Sequence, residues 1–174
     1  MCLRIFFIRL LCILLSLTPI GFALADPLEY QVKAAFLLNF TKFVEWPPEV
    51  VGAGPMDICI VGDDPFGTVL DQIVADETLQ GRGIQVQRVK RPVPASCRVL
   101  FIGRSEKNLD ALIEEIGPGV LTVGEGEGFL RQGGMIAFVV ENRRVRFDVN
   151  QSAASRAHIM ISSKLLSVAR AVIR

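Results

Sequence analysis

DICIVGDDPFG (57–67) opens on a short β-type run, turns at Gly62-Asp63-Asp64-Pro65 and leads into a stretch with helical spacing over about 66–75. Asp64 before Pro65 suits a helix N-cap followed by proline at the first helical position, where the missing N–H costs nothing. Downstream, 84–89 alternates apolar and polar residues, RVLFI (98–102) has the composition of a buried strand, and Ser105 stands where it can cap a helix to about 116. VLTV (120–123) is another short strand. Strand, helix and strand alternating through 57–123 predict parallel βαβ units. Two further runs, 135–140 and 145–149, flank Glu141-Asn142-Arg143-Arg144, a spacing that fits a β-hairpin. The expected fold is α/β, a three-layer sandwich with a mostly parallel sheet, an antiparallel hairpin near one edge and flanking helices.

Upstream of this block, LEYQVKAAFLLNFTKFVEW (28–46) lacks Gly and Pro and keeps helical spacing of its apolar positions, so a helix is expected to run to Pro47-Pro48. Phe36, Leu37, Leu38, Phe40, Phe43 and Trp46 cover more than a narrow stripe, which calls for burial on more than one side. Such a helix is either central to the core or part of a partner surface carried by Phe36 and Phe40. In the tail, Asn150 is placed to cap a helix through about 157, and Ser162 or Ser163 a last one over 164–173. There is no internal repeat and no low-complexity segment.

The chain has 174 residues, enough for one domain with a substantial core. Residues 10–24 carry no charge, follow Arg4 and Arg9, and end at Ala23-Leu24-Ala25, the layout of a secretory signal peptide cleaved after Ala25. A membrane-spanning helix needs about 20 apolar residues, which this stretch does not reach. Cys12 lacks the small residues that precede a lipidated cysteine. The expected organisation is a cleavable signal peptide over 1–25 and a single domain over 26–174. Loss of Arg4 and Arg9 leaves 17 basic against 18 acidic side chains, so nothing attracts nucleic acid. Cys2 and Cys12 leave with the signal, and the remaining pair, Cys59 and Cys97, reads as one disulfide in an oxidising compartment.

Catalytic chemistry finds little to work with. The single histidine, His158, lies between Ala157 and Ile159 without a G-x-S-x-G partner, and is expected to be half-buried and satisfied. One histidine and two oxidised cysteines cannot complete a zinc site. Gly124-Glu125-Gly126-Glu127-Gly128 has the wrong spacing and charge for a pyrophosphate loop and is expected to be a flexible loop. No catalytic residue, cofactor or metal is expected. Asp63 and Asp64 after the first strand, Ser105 after the third and Glu125 after the next could line the crevice at the strand ends where open α/β sheets bind ligands. The same residues equally suit caps and turns. Arg143-Arg144 reads as a solvated hairpin tip.

YQVKAAFLLNFTKFVEWP (30–47), ICIVGDDPFG (58–67), Gly81-Arg82, CRVLFIGRSE (97–106), VLTVGE (120–125), Gly128-Phe129, GGMIAFVVE (133–141), RVRFDVN (144–150) and ISSKLL (161–166) together resemble the YfiR family of periplasmic regulators, in order and over nearly the whole domain. The resemblance implies a periplasmic repressor that binds the outer domain of an inner-membrane diguanylate cyclase or related receptor, lowering cyclic di-GMP and biofilm formation. It also implies release by misfolding, reduction or an outer-membrane lipoprotein, and no enzymatic activity. Both cysteines fall where the family places a bridge, and the extra cysteine pair of some relatives is missing from the mature region. The expected partner surface of a homodimeric regulator is apolar and exposed, near Phe129 and Leu130 or on the first helix at Phe36 and Phe40. The alternative is a periplasmic small-molecule-binding sensor using the Asp63, Asp64, Ser105 and Glu125 crevice.

Overall fold

The structure is a computed structural model and describes residues 27–48 and 54–174; the expected signal peptide lies outside the described residues. Helix α1 (Pro27–Lys42) leads into a two-residue strand β1 (Val44–Glu45). Then come β2 (Met56–Val61), α2 (Thr68–Val74), β3 (Thr78–Leu79), β4 (Arg82–Val89), β5 (Cys97–Ile102), α3 (Leu109–Glu115), β6 (Leu121–Glu125), α4 (Glu127–Arg131), β7 (Ile136–Glu141), β8 (Arg144–Asn150), α5 (Gln151–Arg156), β9 (Met160–Ile161), α6 (Ser163–Val168) and β10 (Ala171–Ile173). Eight strands form one sheet in the order β10-β8-β7-β6-β5-β2-β4-β3, and β1 pairs with β9 in a small second sheet.

Strands β4, β2, β5, β6 and β7 run parallel, and β7–β8 is the antiparallel hairpin. The expected sandwich is present. Apolar side chains alternate across the sheet as the pleat demands. Ile58, Ile60, Val99, Phe101, Leu121, Val123, Ile136 and Phe138 face the layer of α1 and α2, whereas Cys59, Val61, Leu100, Ile102 and Ala137 face α3 and α4. Phe36 and Phe40 of α1 meet Phe138 and Phe147 at ring separations of 5.1–6.1 Å, which fixes the helix along β7 and β8. From β2 the chain steps to β4 on one side, then returns to β5 on the other. The strand order therefore reverses between β2 and β5, the place where open α/β sheets leave a crevice.

Several local expectations need correction. The first helix stops at Lys42 because Val44 and Glu45 pair with Ile161 and Met160, and the Phe43 carbonyl accepts from Ser162 N at 3.0 Å. Helix α2 begins at Thr68 behind Gly67, not at an Asp64 cap; the Asp64 carboxylate accepts from Phe66 N at 2.8 Å and closes a turn instead. Likewise α3 starts after Asn108, and Ser105 does not cap it. The tail helix ends at Val168, after which Arg170 N donates to Phe147 O at 2.8 Å and Ala171–Ile173 joins β8 as a parallel strand. Asn150 and Ser162 do cap α5 and α6, accepting from Ala153 N at 2.9 Å and Leu165 N at 3.3 Å.

The Cys59–Cys97 disulfide is formed, with Cα atoms 5.8 Å apart. Strict alternation would send Cys97 to the α1 face with Val99 and Phe101. An irregularity places Asp57 opposite Cys97 but Ile58 opposite Val99, so Arg98 is an extra residue on β5. The bulge returns Cys97 to the face of Cys59.

Candidate functional site

The four residues expected to line a crevice lie at the carboxyl ends of β2, β5 and β6, but of the four Glu125 alone lines the open cleft there. Asp63 and Ser105 close on each other: Asp63 N donates to Ser105 Oγ at 2.8 Å, and Ser105 N donates to Asp63 Oδ1 at 2.7 Å. Burial pushes the Asp63 carboxyl up, but the Ser105 donors outweigh it and hold the group below the ordinary carboxylate range. Gly103 permits this closure, since a Cβ there would collide with Asp63 backbone and side-chain atoms. The switch point between β2 and β5 is thus sealed by the protein's own groups. Asp64 spends its second oxygen on Arg88 Nε at 2.9 Å, and Arg88 also grips Asp71 at 2.6 and 2.7 Å.

Glu125 is buried and lies one strand further on. Its two oxygens accept from Lys33 of α1 and, at 2.7 Å, from Arg104 Nε. Lys33 is buried, pairs with Glu29 one turn earlier, and sits 4.4 Å from the centroid of the Tyr30 ring. Burial pushes the Lys33 ammonium down; its hydrogen bonds to Glu125 and Glu29 more than reverse this and leave it above the ordinary lysine value. Burial and the neighbouring Glu125 push the Tyr30 phenol up. Two cations and two carboxylates balance, which pins the first turns of α1 over the end of β6. An open cleft of about 320 Å³ remains beside them, lined by Arg104, Glu106, Lys107, Glu125, Phe129 and Gln132 among others.

At the opposite end of the sheet a second cleft of about 420 Å³ has an apolar floor of Ile113, Ile116, Pro118, Met135, Ala153 and Ala157. Arg156 and His158 stand at its rim. His158 is exposed rather than half-buried, because it ends α5 in the left-handed region at φ 60°, which turns its side chain out of the core. It is also at the wrong end of the strands to serve Ser105 as a base. His158 stood out in the sequence only as the single histidine and Arg156 not at all, because sequence offers no signal for a site split between a helix end and the loops before β6 and β7.

The expected exposed surface at Phe129 and Leu130 requires correction. Both are buried, in α4, a five-residue helix where a flexible loop was expected. The Phe129 ring lies against Gly124 and Gly134, and a Cβ at either position would overlap it. Phe40 is fully buried and Phe36 partly so. Arg143 and Arg144 are solvated at the hairpin tip.

Among the described residues there is no group of three metal-ligating side chains and no helix long and apolar enough to cross a membrane. Fold and site define a doubly wound α/β domain whose strand-end polar groups are engaged with one another. The chain matches the YfiR/HmsC-like family over residues 30–170 and belongs to it. Among solved structures it is similar to a conserved domain protein from Vibrio cholerae O1 biovar El Tor str. N16961, with a TM-score of 0.54 at 9% identity, a likeness of fold alone. The match covers 82% of this chain and 60% of that one, so the chain spans less than two thirds of that protein's length. No curated protein matches.

Proposed function

We propose that residues 26–174, freed from a signal peptide over 1–25, act in the periplasm as a protein-binding regulator without enzymatic activity. The target is the outer domain of an inner-membrane diguanylate cyclase or a related receptor, and binding represses it, lowering cyclic di-GMP and biofilm formation. The regulator works as a homodimer and is released through an outer-membrane lipoprotein. The observation that carries this reading is membership of the YfiR/HmsC-like family over residues 30–170. The internally paired strand-end groups support it, because Asp63, Ser105 and Glu125 already satisfy one another or Lys33 and Arg104. Repression needs only a difference in affinity between two receptor states; about 5.5 kcal/mol moves a two-state equilibrium from 1:99 to 99:1. The test is capture of diguanylate cyclase outer domains by the mature domain, paired with cyclic di-GMP measurement after deletion of the gene. Retention of a receptor domain and a rise in cyclic di-GMP are expected; no retention with unchanged cyclic di-GMP refutes the reading.

A second reading, a small-molecule sensor, is favoured by one observation. Arg156 and His158 have no side-chain partner among the described residues and flank an apolar cleft of about 420 Å³, a combination suited to a small molecule with an anionic group and an apolar body. Aromatic and aliphatic carboxylates screened by thermal shift test it. A ligand that binds only the native state raises the melting temperature, and loss of that rise in Arg156→Ala is the expected signature.

A further inference from the structure

Along α1, Leu28, Val32 and Phe36 recur every four residues and form one wall of a groove; Val140 and Val145, opposite one another in the β7–β8 hairpin, form the other. The groove encloses about 560 Å³. Its walls are unusually wet for apolar residues: Leu28 is 63% exposed, Val140 54% and Val32 37%. At one end stand Arg143 and Arg144, whose side chains make no ion pair or hydrogen bond among the described residues. Glu29 also lines the groove, but its carboxylate is held by Lys33. The unbalanced charge of the groove is therefore positive.

We infer that this groove is the docking surface for an acidic amphipathic helix of the regulated protein, an assignment that rests on the protein-binding reading above. The wall of α1 from Leu28 to Phe36 is about 12 Å long at 1.5 Å per residue, room for the two or three apolar anchors that a helix presents at i, i+4 and i+7. Carboxylates on the flank of that helix meet Arg143 and Arg144 and give partner choice and a salt-dependent on-rate. Concavity decides against a bilayer, because insertion between lipids needs apolar side chains that project, and here they line a trough. A second copy would bring its own arginines to a site that already carries two.

The probe is a fluorescent 18-residue peptide with Leu at i, i+4 and i+7 and Glu at the positions flanking that stripe, titrated by anisotropy against the mature protein. Binding is expected, weakening with added salt, about tenfold weaker in Val140→Asp and about fivefold weaker with a flattened salt dependence in the Arg143→Glu, Arg144→Glu double variant. Both changes are at exposed positions, and an unchanged melting temperature shows that each variant is folded. No peptide binding, equal binding of the Lys counterpart peptide, or unchanged affinity in both variants overturns the assignment. So does binding of phosphatidylglycerol vesicles, or self-association in sedimentation, that the same variants abolish in place of peptide binding. A receptor domain retained equally by wild type and variants sinks the groove and leaves the regulatory reading standing. Peptide binding with no receptor retained does the reverse.

Discussion

Lys33 carries the most consequential single interaction. A buried ammonium held by two carboxylates is a poor source of net stability, since desolvation consumes much of the Coulomb gain, yet removing one partner strands the other. Glu125→Leu is therefore expected to cost about 3 to 5 kcal/mol in urea unfolding, whereas the Lys33→Met, Glu125→Leu double variant recovers most of that loss. Equal costs in single and double variants would show that the pair is not coupled. The same group sets an alkaline limit. Its folded value is raised, so its contribution is complete below the unfolded lysine value of about 10.4 and disappears as pH climbs through the folded one. Asp63 works in the other direction: its folded value is lowered, so its contribution is present above about 3.9 and is lost as pH falls through the folded value. In Ser105→Ala the Asp63 carboxyl is expected to titrate closer to its ordinary range by NMR, although the Ser105 N–H still donates. Sequence placed Asp63, Ser105 and Glu125 at neighbouring strand ends, which is where they lie. It could not show Lys33, a polar position in an apolar helix whose carboxylate partner is 92 residues away.

Elements with a strong local code were legible. Parallel strands came from uninterrupted apolar runs, the Asn150 cap from residue type and position, and the hairpin from its four-residue spacing. In the hairpin, Asn142 and Arg143 take φ of 50° and 61°, the left-handed pair that a tight two-residue turn requires. What escaped were elements whose ends depend on a distant strand. Residues 171–173 have no helix breaker before them, and only Arg170, clamped on buried Asp148 at 2.8 and 2.5 Å, turns them into β10. Helix α4 was hidden in the same way, behind glycines that read as flexibility. Those glycines make room: Phe129 packs between the faces of Gly124 and Gly134 and plugs the layer under α3. Phe129→Ala is expected to lose about 3 to 5 kcal/mol through the cavity it leaves, and Gly134→Ala about 1 to 3 kcal/mol through overpacking. A Gly134→Ala protein as stable as wild type in denaturant unfolding would mean that the ring has another place to go.

At the scale of the molecule, the disulfide joins two neighbouring central strands, β2 and β5, which five residue pairs and a sealed switch point already hold together. Its value therefore lies in the unfolded chain. Closing a loop of 38 residues is worth roughly 4 kcal/mol in the chain-entropy model. Domains of this size have about 5 to 15 kcal/mol in total, so at the lower limit the loss would leave roughly one molecule in six unfolded, and at the upper limit almost none. Apparent affinity for any partner scales with the share of folded, binding-competent chains, so at the lower limit it falls by about a sixth. The Cys59→Ala, Cys97→Ala double variant is expected to lose about 3 to 4 kcal/mol in urea and to unfold with a steeper denaturant dependence, since an uncrosslinked unfolded chain exposes more surface. The slope separates two mechanisms. If stability fell with an unchanged slope, the bridge would be acting on the packed face it shares with Leu100, Ile102 and Leu112, and the entropic account would be wrong. With the slope raised and far-ultraviolet circular dichroism unaltered, the folded domain would be the same object with or without its bond, and only the population of that object would have changed.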